Sequence, residues 1–201
     1  MLETGITILS WCGLAVFAAT GGIVAAHKKM DIVGFAMLAT VTGIGGGTIR
    51  DLLLGITPVF WIRQPEYLLV CVAMGVVVFF SRRIRDAGFL IWFDAIGLAL
   101  FCVTGAERTL SAGAGPVAAV AMGMVTATFG GIIRDVLGGE SPIIFSKEIY
   151  ITAALFGALA YVGLIGLSVP QDIAFVSGFV ACLALRGAAI YFDWSLPQHR
   201  G

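Results

Sequence analysis

Two arginine–aspartate pairs stand beside long apolar runs in this chain. They are Arg50-Asp51 and Arg134-Asp135, each three residues beyond a glycine pair. A bare charge at the centre of a bilayer costs about 2.5 kcal/mol or more, so such residues face water, a polar cavity or a partner. The chemistry they offer is electrostatic: they line a path for ions, or they clamp two helices together. Adjacent side chains on a helix point in different directions, so Arg50 is not expected to satisfy Asp51 within its own helix. The expected arrangement is crossed, with Arg50 near Asp135 and Arg134 near Asp51.

The residues before each pair sharpen the expectation. Gly43, Gly45, Gly46 and Gly47 put four glycines into five residues. Each weakens a helix by up to about 1 kcal/mol relative to alanine. A kink or an unwound turn is therefore expected, with Thr48 and Asp51 at capping-box spacing to restart the helix. The second block, Phe129-Gly130-Gly131-Ile132-Ile133, has fewer glycines and no threonine, so its break should be milder. Carbonyls freed inside a membrane must face protein or water. At half-helix ends they favour cations. The alternative for the glycines is close helix packing, since Gly43 to Gly47 has GxxxG spacing. The candidate pore and gate residues are Gly45, Gly46, Gly47, Thr48, Arg50 and Asp51, with Gly130, Gly131, Arg134 and Asp135.

The two blocks belong to an internal duplication. At an offset of 84 residues, and without a gap, Gly13-Leu14-Ala15-Val16-Phe17 returns as Gly97-Leu98-Ala99-Leu100-Phe101. Thr20-Gly21 returns as Thr104-Gly105, Val41-Thr42 as Val125-Thr126, and Gly55 and Pro58 as Gly139 and Pro142.

The elements that must carry these motifs are membrane helices. The chain has 201 residues, 59% hydrophobic, 12% charged, with zero net charge. Soluble domains carry about 25% charged residues, and nucleic-acid binding would need a basic face. Seven apolar segments approach the roughly 20 residues a spanning helix needs, at about 6–26, 32–54, 66–81, 88–106, 114–137, 149–167 and 173–191. The leader Met1-Leu2-Glu3-Thr4 has no positive charge, so the first run reads as a span and not a signal peptide. The expected fold is an all-α integral membrane protein, a single domain over 1–201. Three-helix repeats at about 5–81 and 88–167 are followed by a seventh helix at 173–191. Three spans per copy is an odd number, so the second copy must run inverted relative to the first.

Orientation follows from the basic residues. Lys28, Lys29, Arg82, Arg83, Arg85, Lys147 and Arg200 fall on one side, and Arg63 and Arg108 on the other. The positive-inside rule then places the C-terminus in the cytoplasm and the N-terminus outside. Trp61, Trp92 and Trp194 near span ends fit interfacial belts.

The remaining polar residues are read more plainly. Asp94 is interfacial and solvated, or lines a vestibule. Arg186, deep in the last run, snorkels to the cytoplasmic surface. Glu107-Arg108 and Lys147-Glu148 are solvated loop pairs, and His27 and His199 are inert. Cys12, Cys71, Cys102 and Cys182 are small buried hydrophobes. No metal-ligand cluster, catalytic triad or phosphate-binding loop is present in the sequence. Neither a cofactor nor an enzymatic activity is expected.

Paired Gly-Gly-x-x-Arg-Asp blocks on the second helix of each three-helix repeat, with a seventh helix, resemble the bacterial branch of the trimeric intracellular cation channel (TRIC) family. The same kind of sequence is also grouped as a glycine-transporter-like membrane domain. The resemblance covers roughly residues 5 to 192. It implies a homotrimer in the bacterial inner membrane, with one pore per protomer lined by kinked second and fifth spans. It also implies potassium as the chief permeant ion. Phe129 stands opposite Gly45, so the two half-sites are not chemically equal. The competing reading is a secondary transporter of a small amino acid such as glycine. A membrane enzyme or scaffold would need a catalytic cluster that the chain does not offer.

Overall fold

The computed structural model describes residues 2–81, 83–145 and 148–197. Arg82, Lys147, His199 and Arg200, which entered the reading above, lie outside the described residues. Eight α-helices are present among the described residues: α1 (Leu2–His27), α2 (Ile32–Leu53), α3 (Phe60–Arg63), α4 (Glu66–Phe80), α5 (Ala87–Ser111), α6 (Pro116–Leu137), α7 (Ile151–Gly166) and α8 (Gln171–Tyr191). Five segments are long and apolar enough to cross a membrane: Ile8–His27, Ile32–Leu53, Gly88–Ser111, Pro116–Leu137 and Gln171–Tyr191. The helices α4 and α7 are apolar but shorter, at 15 and 16 residues. The sequence reading missed α3, and it ended the fourth span at residue 106 where α5 continues to Ser111.

The duplication is visible in the backbone. At the end of α2, the Ile56 amide donates to the Asp51 carbonyl (2.8 Å) and the Gly55 amide to Leu52 (3.2 Å). At the end of α6, Glu140 donates to Asp135 (2.9 Å) and Gly139 to Val136 (3.1 Å). This is a Schellman stop, which needs a left-handed residue after the helix. Gly55 and Gly139 supply it at φ 67° and 68°.

Helices α1 and α5 form the middle of the bundle. Phe17, Ala18 and Ala19 of α1 and Leu98, Ala99, Cys102 and Val103 of α5 are fully buried. Against them α2 and α6 cross. A Cβ added at Gly46 would collide with the Thr126 carbonyl, and one at Gly130 with the Thr42 carbonyl. The two contacts are repeat-equivalent and reciprocal. Their numbering advances on one helix as it falls on the other, so α2 and α6 run antiparallel. Phe17 meets its own equivalent, Phe101, edge-to-face at 5.1 Å beside this crossing.

Three expectations are corrected here. Both glycine-bearing helices keep helical hydrogen bonding throughout, with no unwound turn in 32–53 or 116–137. The glycines serve close approach of two backbones, which recovers in packing what they lose in propensity. Within a membrane an unmade backbone hydrogen bond is costlier still. Thr48 is accordingly not a cap: inside α2, its hydroxyl donates to the Ile44 carbonyl (2.7 Å) and accepts from Trp61 Nε1 (3.0 Å). Of the cysteines, Cys71, Cys102 and Cys182 are buried free thiols, whereas Cys12 is exposed.

Candidate functional site

Each Arg-Asp pair sits in the last turn of its helix, where the carbonyl-rich end favours the arginine and disfavours the aspartate. Arg50 donates through Nε (2.9 Å) and Nη2 (2.7 Å) to Asp51 Oδ1. Asp51 Oδ2 accepts the Phe60 amide at 2.8 Å. The second copy repeats the scheme. Arg134 Nε donates to Asp135 Oδ1 (2.9 Å), and Asp135 Oδ2 accepts the Ile143 amide (3.2 Å). Each carboxylate therefore ties its own arginine to the segment after the helix.

The crossed pairing is overturned. Because α2 and α6 are antiparallel and cross near residues 44 and 128, their ends point to opposite faces of the bundle. At 1.5 Å per residue, Arg50 and Asp135 lie about 20 Å apart along it. The expectation that neighbours on one helix cannot pair fails because the arginine stem is long enough to curl back onto the next residue.

At the face where α2 and α5 end, Arg50 opens onto a cavity of about 370 Å³. Ser10, Thr104, Ser111, Arg63 and Arg108 share its wall, and Gly43, Phe101 and Thr126 form its inner end at the helix crossing. At the opposite face Arg134 is enclosed by side chains. Its Nη1 donates to Asp94 Oδ1 (2.6 Å) and to Thr20 Oγ1 (2.9 Å). Arg134, Asp94 and Thr20 are 4%, 3% and 0% exposed. A Cβ at Gly131 would lie 3.2 Å from the Tyr150 hydroxyl and 3.6 Å from Arg134, so this glycine leaves room for the cluster. Asp94 is thus neither solvated nor interfacial: it is the buried partner of Arg134.

Three further readings change. Arg186 does not snorkel. It is buried, donates to Glu148 Oε2 (2.6 Å) and the Ile149 carbonyl (3.2 Å), and lies 5.2 Å from the Tyr150 ring centre. It thereby props Tyr150, and Glu148 is its counter-ion and not part of a solvated loop pair. Glu107 is buried within α5 and accepts from Ser111 Oγ at 2.9 Å, with Arg108 only 3.8 Å away. Of the sequence-derived residues, Gly45, Gly46 and Gly130 meet at the crossing, while Gly47, Arg50 and Asp51 lie toward one face. Gly131, Arg134 and Asp135 lie toward the other. Sequence reasoning gave Thr20 and Ser10 no place in the site and misplaced Arg186. The first two carried a signal, because Thr20 repeats as Thr104 and Ser10 stands where the second copy has Asp94. No group of three or more metal-ligating side chains occurs among the described residues.

Long apolar helices with charged residues buried among them define a multi-pass helical membrane protein. The family described as "Glycine transporter" matches residues 7–83 and 91–165, one match per repeat. The UPF0126 inner membrane protein YadS of Escherichia coli K12 is 41% identical over 92% of this chain and 91% of its own length. Among solved structures, the TRIC trimeric intracellular cation channel orthologue from Rhodobacter sphaeroides superimposes with a TM-score of 0.92. It is 54% identical and covers 95% of this chain and 100% of that one. A second TRIC cation channel, solved to explain conductance, gives a TM-score of 0.88 and 36% identity, with 97% of each chain covered. The chain belongs to this family, the UPF0126 or glycine-transporter-like membrane proteins that include the TRIC channels.

Proposed function

We propose that the chain is a potassium-permeable monovalent cation channel whose path runs within each protomer. The path passes from the cavity at Arg50, between α2 and α6 at Gly46 and Gly130, to the corner at Arg134. One observation carries this reading: a cavity with charged residues on its wall reaches the helix crossing from one face, and a charged cluster approaches it from the other. Phe17, Ile133 and the Thr42 and Thr126 backbones pack at the crossing between them. The reciprocal contacts at the crossing support two inverted three-helix repeats over about 5–81 and 88–167, with α8 as the added helix. The solved TRIC relatives support cation conduction and a homotrimer. The relative named an inner membrane protein supports that location. The basic bias supports an N-terminus outside and a C-terminus in the cytoplasm. On this reading the present form is closed at the crossing, where the two backbones touch, and at the Arg134 corner.

A carrier for a small amino acid is the second reading. The family description and access from a single face favour it, because alternating access requires forms open to one side at a time. Single-channel recording of the purified protein in a planar bilayer separates the two. Discrete current steps in potassium chloride are expected. Saturable glycine uptake without steps would replace the channel by the carrier.

A further inference from the structure

The duplication supplies its own template for a ligand. In the second corner Arg134 uses Nε on Asp135 and gives Nη1 to a further carboxylate, Asp94, at 2.6 Å. The first corner has the same arginine, the same adjacent aspartate and the same threonine, Thr104 for Thr20. At the position of Asp94 it has Ser10. Arg50 commits Nε and Nη2 to Asp51, and its Nη1 has no acceptor among the described residues. Where the Asp94 carboxylate would be, there is open space: Ser10, Arg50 and Thr104 all line the 370 Å³ cavity.

We propose that this cavity is a binding site for a small carboxylate, which takes on Arg50 the place that Asp94 takes on Arg134. Three observations beyond the template favour an anionic guest. The charged residues on the wall are Arg50, Arg63 and Arg108 against Asp51 alone, and Asp51 is already bound by Arg50 and the Phe60 amide. A guanidinium recognises a carboxylate through directed, charge-assisted hydrogen bonds, and the buried setting of Arg50 strengthens them. Leu14, Tyr67 and Phe101 on the same wall offer apolar contact to a short carbon tail, and the volume falls within the range of small-molecule sites. The bound charge would also offset the positive wall that an entering cation must pass. The site is independent of the channel reading, since binding is read at equilibrium and conduction in the recording.

The test is equilibrium dialysis of radiolabelled acetate against the purified full-length protein in detergent, in chloride-free buffer at pH 7. One saturable acetate per chain is expected. Glycine should displace it, whereas glycinamide, which keeps the amine and lacks the carboxylate, should not. Ser10→Asp supplies the missing carboxylate in cis and should weaken acetate binding by about tenfold or more, a loss of about 1.4 kcal/mol. Its elution volume and melting temperature should be kept. Arg108→Gln, a half-exposed change at the cavity wall, should weaken binding several-fold and decides the matter if Ser10→Asp does not assemble. Absence of saturable binding would overturn the proposal. So would unchanged affinity in Ser10→Asp or, where that variant fails, in Arg108→Gln. Displacement by chloride as readily as by glycine would replace the carboxylate site with a general anion site.

Discussion

The Arg50 and Arg134 corners are the same motif with different outcomes. Their backbones stop in the same Schellman turn, and each aspartate joins its arginine to the following segment. The difference lies in the side chains around them. Position 10 is serine where position 94 is aspartate, and one corner is an open cavity while the other is buried. The mouths differ in the same sense. Ile56 and Ala112 line the open cavity, and their equivalents Glu140 and Lys28 form an ion pair joining the ends of α1 and α6. Duplication fixes a shared scaffold, and the side chains that differ on it include Ser10 for Asp94, Ile56 for Glu140 and Ala112 for Lys28.

What the corners share is the crossing between them, and breaking it should have the largest effect. Gly46→Leu places a side chain into the Thr126 carbonyl, a backbone atom that cannot step aside. Forcing volume into a packed core costs about 1–3 kcal/mol and more when backbone must move. We expect Gly46→Leu to lose about 3 kcal/mol and most of the assembled protein, read as yield and melting temperature in detergent. Gly163→Leu, where an added Cβ meets open space, should change neither. Equal tolerance at both positions would show that the α2–α6 approach is not what these glycines provide.

The same crossing explains what was legible in the sequence. Periodic apolar runs and the 84-residue offset contained the helices, the repeats and the paired motifs. The unwound turn was a misreading because propensities measured in water count the cost of a glycine and not the backbone contact it permits. The crossed ion pairs failed for a reason already present in the expected inversion: equivalent ends of antiparallel helices point apart. The Asp94–Arg134 pair spans 40 residues, so neither local pattern nor helical spacing reveals it. Aligning the repeats does single out position 94, as an acid where the other copy has Ser10. Arg186 has no repeat partner to be compared with, and its contact with Glu148 depends on where α8 packs.

Asp94→Ser sharpens the comparison by giving the second corner the side chain of the first. Arg134 then keeps Asp135 and Thr20 but loses its closest carboxylate. A hydrogen bond to a charged group is worth about 1.5–3 kcal/mol, so the melting transition should fall by about 2 kcal/mol of stability. If divergence at this position keeps the face closed, potassium flux into proteoliposomes should rise several-fold in the same variant. Lower stability with unchanged flux would reduce Asp94 to a structural counter-ion.

The Lys28–Glu140 pair is the smallest term, because Glu140 is exposed and such pairs contribute little. The Lys28 ammonium, hydrogen-bonded to Glu140, holds its carboxyl below the ordinary value of 4.5. A lowered value in the folded state means that the pair's contribution is complete above that ordinary value. It is lost as the pH falls through the lowered one. Acidifying the bath on this face from pH 7 to pH 5 should therefore leave opening frequency unchanged, and a rise should set in only below about pH 4.5. Glu140→Gln should show the raised frequency at every pH, and 0.5 M salt should reproduce part of it by screening the exposed pair. A rise already complete at pH 6 would remove the Lys28–Glu140 pair from the account of how this face is held shut.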